Sequence, residues 1–154
     1  GALAHRDDSG GGGELRPGEL QWMSAGHGIE HSEYNPAQTE PVHFLQVWIV
    51  PDTRGLEPRY DQRPFDVAAA RKGFVLLASL DGRDGAIQVQ QDAELLMTRA
   101  GAGERRVHAL RSGRHAWLHV ARGALRTFGH ELREGDGDPL VWTGGIQLGE
   151  GDGR

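Results

Sequence analysis

Short apolar or alternating runs, each closed by Gly, Pro, Asp or Ser, recur along the whole chain. Leu20–Met23, Val42–Val50, Phe74–Ser79, Ala86–Gln90, Glu94–Thr98, Arg105–Leu110, His115–Val120, Ala124–Phe128 and Leu140–Thr143 all have this form. Runs of that length with period-two alternation predict β-strands. In Val42–Val50, His43 alternates with Leu45, Val47 and Ile49, which predicts a strand with His43 in the core. Asp81-Gly-Arg-Asp-Gly85 carries two Asp-Gly pairs and predicts a tight turn. Only Val67–Lys72 has a faintly helical pattern. Regular short strands separated by Gly-rich turns predict an all-β sandwich or barrel.

Composition narrows the picture. Glycine makes up 24 of 154 residues, about 16%, against an ordinary level of about 7%. A net charge of −5 without any basic stripe argues against nucleic acid as a partner. No apolar run is long enough to cross a bilayer, and no secretory leader pattern is present. The absence of cysteine excludes disulfides and thiolate metal sites and fits a cytoplasmic location. A single lysine beside sixteen arginines reads as GC-rich, bacterial coding bias.

A long-range repeat is visible. Gly1-Ala-Leu3, Glu14-Leu-Arg-Pro-Gly18 and Leu20-Gln-Trp22 have counterparts in Gly123-Ala-Leu125, Glu131-Leu-Arg-Glu-Gly135 and Leu140-Val-Trp142. Two copies of strand, hairpin, Leu-Arg-x-Gly turn and Trp-bearing strand predict a duplicated β-barrel module.

Candidate chemistry centres on His31 and Glu33. Two positions apart on a strand, their side chains lean to one face, and an imidazole nitrogen with a carboxylate oxygen suits a divalent first-row metal. The same two residues equally suit a hydrogen-bonded surface pair. Two ligands do not make a site, and no His-x-His occurs in the chain. His27 reads as an exposed turn histidine or a residue at the site mouth. His5 reads as an outer partner of a metal ligand or a pleated surface residue, and His43 as a core residue or one that lines a pocket. His108, His115, His119 and His130 lack paired ligand spacing. Gly10–Gly13 is not a phosphate loop, because no Gly-Lys-Ser/Thr follows it. The segment Gly149–Gly153 reads as turn chemistry and does not match an EF-hand loop.

Gly18-Glu-Leu-Gln-Trp-Met-Ser-Ala-Gly-His-Gly-Ile-Glu-His-Ser-Glu33 resembles the signature of the pirin family. Gly1-Ala-Leu-Ala-His-Arg-Asp7, Pro41–Ile49 and Pro58–Asp66 are similar to the family stretches around it, and Gln91–Leu95 continues the resemblance more loosely. The resemblance implies two cupin-type barrels: residues 1–66 as the second half of an N-terminal, metal-holding cupin, and residues 67–154 as a metal-free C-terminal cupin. It implies His31 and Glu33 as metal ligands, completed by a His-x-His strand expected before Gly1, and a final strand expected beyond Arg154. On this reading the chain is a fragment, the metal is a mononuclear divalent ion of the Fe(II) type, and binding by the fragment itself is weak or absent. The implied activity is that of a quercetin 2,3-dioxygenase, opening a flavonol ring with O2 and loss of carbon monoxide in a monomeric intact protein. Glu33 then serves as ligand and proton acceptor. Two other readings stand beside it: a non-enzymatic metal-dependent regulator, and an inactive fragment.

Overall fold

A strand needs a partner for its backbone groups, and β-pairing is nearly everything that orders this chain. A computed structural model describes residues 1–8, 10–140 and 145–148. The strands are β1 (Leu3–Asp7), β2 (Gly12–Leu15), β3 (Glu19–Ser24), β4 (His31–Tyr34), β5 (Arg59–Pro64), β6 (Val75–Ser79), β7 (Ile87–Gln88) and β8 (Glu94–Met97). They continue with β9 (Arg106–Ala109), β10 (Ala116–His119), β11 (Ala124–Thr127), β12 (His130–Arg133), β13 (Gly137–Leu140) and β14 (Gly145–Leu148). One short helix, α1 (Val67–Ala70), interrupts them, its first turn capped by Asp66 Oδ1 accepting from the Ala69 amide at 2.8 Å. The fold is all-β, of the cupin kind. Among the described residues no sheet closes into a barrel, and no helix is long and apolar enough to cross a membrane.

The chain forms two compact units. The first comprises Gly1–Ala69 and Val75–Met97, the second Ala70–Phe74 and the described residues from Thr98 onward. The first unit holds the sheets β2-β1-β4, β3-β5 and β7-β6-β8. Its core is Ala78, Ile87 and Val89, against which Leu20, Trp22 and Leu95 pack. The Asp81–Gly85 segment turns as expected, with Gly82 and Asp84 at φ 63° and 56°. It does not make a hairpin, however, because β7 leaves it parallel to β6. The Ser79 hydroxyl and then the Arg83 amide bind the Asp81 carboxylate and hold it below the ordinary carboxylate range. The second unit holds β10-β13, β11-β12 and β9-β14, with Leu140 buried among Phe74, Ala116, Leu118 and Leu125.

The repeat is visible in the pairing. Leu3 faces Leu15 across β1–β2, and Leu125 faces Leu132 across β11–β12. Both Leu-Arg-x-Gly turns close with the same bond: Glu19 N to Arg16 O at 3.0 Å, and Asp136 N to Arg133 O at 2.9 Å. Gly18 and Gly135 both sit at positive φ, 92° and 89°. Trp142 of the second copy, the residues of the expected Leu140–Thr143 strand beyond Leu140, and the Gly149–Gly153 turn lie outside the described residues.

One expectation fails. Val42–Val50 takes no regular secondary structure and pairs with no strand among the described residues, and His43 is exposed rather than in a core. Leu45, Val47, Trp48 and Val50 are 53, 57, 87 and 79% exposed. Alternation shows that a segment suits a sheet; it does not supply the neighbour that makes one. Two side-chain bonds tether the segment instead, from Gln46 Nε2 to Glu33 and from Gln91 Nε2 to Val50 O. The polar Arg59–Pro64 run is the converse: it lacks apolar alternation yet pairs along its whole length with β3.

Two outcomes follow from this packing. Gly26 lies at φ +54°, and a Cβ there would run into the Leu56 carbonyl and the Pro58 nitrogen. Gly26→Ala is therefore expected to lower stability by about 1–3 kcal/mol in a denaturant titration. An exposed, apolar, β-prone stretch without charge or proline is an association hazard. Trp48→Lys is expected to reduce self-association, read as a fall in light scattering at high protein concentration.

Candidate functional site

Strand β1 lies between β2 and β4, and residues directly opposed in antiparallel strands point to the same face. His5 faces Glu33 on one side and Gly13 on the other, while Asp7 faces His31. One face of this sheet therefore carries His5, Asp7, His31 and Glu33 together. His31 is exposed and Glu33 half-buried; Glu33 Oε2 accepts from Gln46 Nε2 at 3.2 Å. Asp7 Oδ1 accepts from the Gly11 amide at 2.8 Å, so this carboxylate is tied to the hairpin. A side chain at Gly11 would collide with that carboxylate, which is one physical reason for the Gly10–Gly13 tract.

His5 is the buried member, only 3% exposed. Its ring stacks on Tyr60 of β5, with centroids 5.1 Å apart, and Nε2 lies 3.1 Å from the Tyr60 hydroxyl. The hydroxyl in turn donates to Gln62 Oε1. Gln62 Nε2 donates to Glu14 O at 2.9 Å and to Glu19 Oε2 at 3.1 Å. Gly13 makes room for the ring: a Cβ there would stand 3.2 Å from His5 Nε2. Burial first, then the charges of Glu19 and Asp61, push the Tyr60 phenol above its ordinary value, so it stays a donor. His5 Nδ1 is buried and has no hydrogen-bond partner. Leaving such an atom unsatisfied costs about 1–3 kcal/mol.

The other histidines separate from this face. His27 sits on an exposed loop with Nε2 3.2 Å from Glu57 Oε2, and His43 is exposed on the unpaired segment. His108 tilts against Phe74 with centroids 5.2 Å apart. Among the described residues no three His, Asp or Glu side chains stand close enough to hold a metal by themselves. Sequence reasoning did not single out Tyr60 and Gln62. Their spacing of two along a strand was the available signal, obscured because the run Arg59–Pro64 reads as polar loop.

The pair His31 and Glu33, an imidazole and a carboxylate on one face, suits part of the coordination of a divalent ion. Comparison with known proteins agrees in kind. The family model for Pirin matches residues 1–49, and that for the quercetinase C-terminal cupin domain matches residues 76–151. The chain is 42% identical over 137 residues to a protein of Escherichia coli (strain K12) named "Quercetin 2,3-dioxygenase", covering 89% of this chain and 58% of that protein. The crystal structure of YhhW from Escherichia coli superposes with a TM-score of 0.88 at 39% identity, covering 96% of this chain and 62% of that one. The structure of bacterial pirin YhhW in complex with nickel(II) superposes with a TM-score of 0.86 at 38% identity, with the same coverage. The chain thus spans about three-fifths of the length of these relatives.

The raised Tyr60 value has a measurable consequence. A phenol whose pKa is higher folded than unfolded adds stability that is complete below the unfolded value, about 10, and is lost as pH rises through the folded value. Tyr60→Phe is expected to remove the phenol that ionises above the ordinary range in an ultraviolet pH titration. It is also expected to flatten the alkaline loss of stability.

Proposed function

Since the chain belongs to the pirin family, we propose that it carries the His31–Glu33 half of a mononuclear metal centre of the Fe(II) type in a flavonol-cleaving dioxygenase. The observation that carries this reading is the register of β4 on β1, which sets His31 and Glu33 on one face with buried His5. The nickel(II) complex of YhhW, a protein 38% identical to this chain, supports a divalent ion. The name quercetin 2,3-dioxygenase, borne by a relative 42% identical, supports the reaction class.

A divalent metal bound by these two ligands would supply Lewis acidity, lowering the cost of deprotonating a hydroxyl beside a ketone. The protein's own contribution is positional. Among the described residues Glu33 is held by Gln46 through Oε2. That leaves the second carboxylate oxygen for a metal or for the proton released by a flavonol hydroxyl. The half-buried setting of Glu33 and the buried ring of His5 limit water on one side of the site. The overall change is addition of one O2 to the flavonol, opening of its ring, and departure of one carbon as carbon monoxide.

Ni2+ titration by calorimetry, in protein that also supplies the remaining ligands, tests the ligand assignment. His31→Ala is expected to weaken binding about tenfold or more, as loss of a ligand must exceed the loss of an outer partner; undiminished affinity would overturn it. Metal-loaded protein given quercetin is expected to consume oxygen in step with carbon monoxide release. Metal bound at His31 without oxygen uptake would overturn the dioxygenase reading.

A further inference from the structure

We propose that His5 is a positioning residue of this site, whose Nδ1 accepts a hydrogen bond from a hydroxyl group brought beside His31 and Glu33. The inference rests on the reading of that pair as metal ligands.

Proton directions along this hydrogen-bonded chain lead to it. Both Gln62 Nε2 protons are engaged, by Glu14 O and Glu19 Oε2, so the amide orientation is set and Oε1 must accept. The Tyr60 hydroxyl has one proton and gives it to Gln62 Oε1. Its oxygen can then only accept from His5, so Nε2 of the neutral imidazole carries the proton across the 3.1 Å contact. Nδ1 is left as a bare lone pair, in a side chain that is 3% exposed, with no partner. A buried acceptor without a donor calls for an explanation, and packing does not supply one.

The ring's placement indicates which side the lone pair serves. The Nε2–Cδ2 edge is the one that faces Gly13, at 3.2 and 3.9 Å from a Cβ built there. Nδ1 is on the opposite edge of the ring, and the strand on the opposite side of β1 is β4, where Glu33 stands directly across from His5. A hydroxyl that opens onto this edge of the ring would meet the lone pair, which is closed to water in the free protein. Its chemistry is that of a neutral O–H donor, supplied by an ordered water or by a hydroxyl of a phenolic or enolic ligand. The Tyr60–Gln62 relay holds His5 in the accepting tautomer, as outer partners hold histidines elsewhere.

Long-range proton–nitrogen spectra of the full chain, at mildly alkaline pH, test this without any variant. In the metal-free protein His5 is expected as the Nε2–H tautomer with a bare Nδ1; an Nδ1–H tautomer would overturn the proposal. Diamagnetic Zn2+ is then added alone and with quercetin, and the His31 signals report whether metal has reached the site. A shift of His5 Nδ1 towards a hydrogen-bonded position with Zn2+ alone identifies water as the donor. A shift only when quercetin is present identifies the organic hydroxyl. If His31 responds and His5 Nδ1 moves in neither case, the proposal is overturned while the metal reading stands. If Zn2+ does not reach His31, the pair does not hold the ion without further ligands. Quercetin added to metal-free protein then decides, a shift at Nδ1 supporting the acceptor role and none overturning it. Tyr60→Phe removes the acceptor for Nε2–H, so the ligand-induced shift is expected to shrink.

Discussion

Everything distinctive about the site depends on β1 being hydrogen-bonded along both edges in one register. Strand periodicity is two, so a slip of one residue against β4 would set His31 and Glu33 beside Ala4 and Arg6 instead of His5 and Asp7. The hairpin to β2 defends that register from the other side. Asp7 binds the Gly11 amide, and the bare backbone at Gly11 and Gly13 leaves space for the Asp7 carboxylate and the His5 ring. The glycine tract is thus a steric requirement of the face it adjoins, more than a flexible connector.

The two copies of the repeat show how one backbone device takes different side-chain content. Leu3 and Leu125 hold equivalent places, each opposite a leucine of the returning strand. Two residues on, the first copy has His5 and the second Thr127, and both are buried with an unpartnered polar atom. Among the described residues, only in the first copy does the adjoining strand bring a histidine and a carboxylate to the same face. The fold repeats a pairing; the chemistry is confined to the unit whose third strand, β4, carries His31 and Glu33.

Much of the fold was legible in the chain. Strands β8 to β11 follow the apolar runs to within a residue at each end, because alternating residues that bury one face can do little else. By contrast, β12 (His130–Arg133) and β13 (Gly137–Leu140) lie on polar segments that no apolar run marks. The failures have a common cause. Val42–Val50 has a strand's pattern without a partner among the described residues, and Arg59–Pro64 has a partner without the pattern. Pairing is a property of two segments, whereas alternation belongs to one. The turn at Asp81–Gly85 was likewise visible, but not that it would lay β7 parallel to β6, since that depends on where Ala78 and Ser79 already lie.

For the site the division is similar. The spacing of His31 and Glu33, the family signature around them and the Leu-Arg-x-Gly repeat are local, and the sequence by itself determined them. That these two residues share a face with Asp7 and a buried His5 was decided only by the tertiary structure. So were the direction of the proton chain through Tyr60 and Gln62 and the exposure of His27 and His43. Covalent order sets which residues are two apart. Hydrogen-bond register and burial, which act between segments far apart in the chain, set which of them meet and which nitrogen is left without a partner.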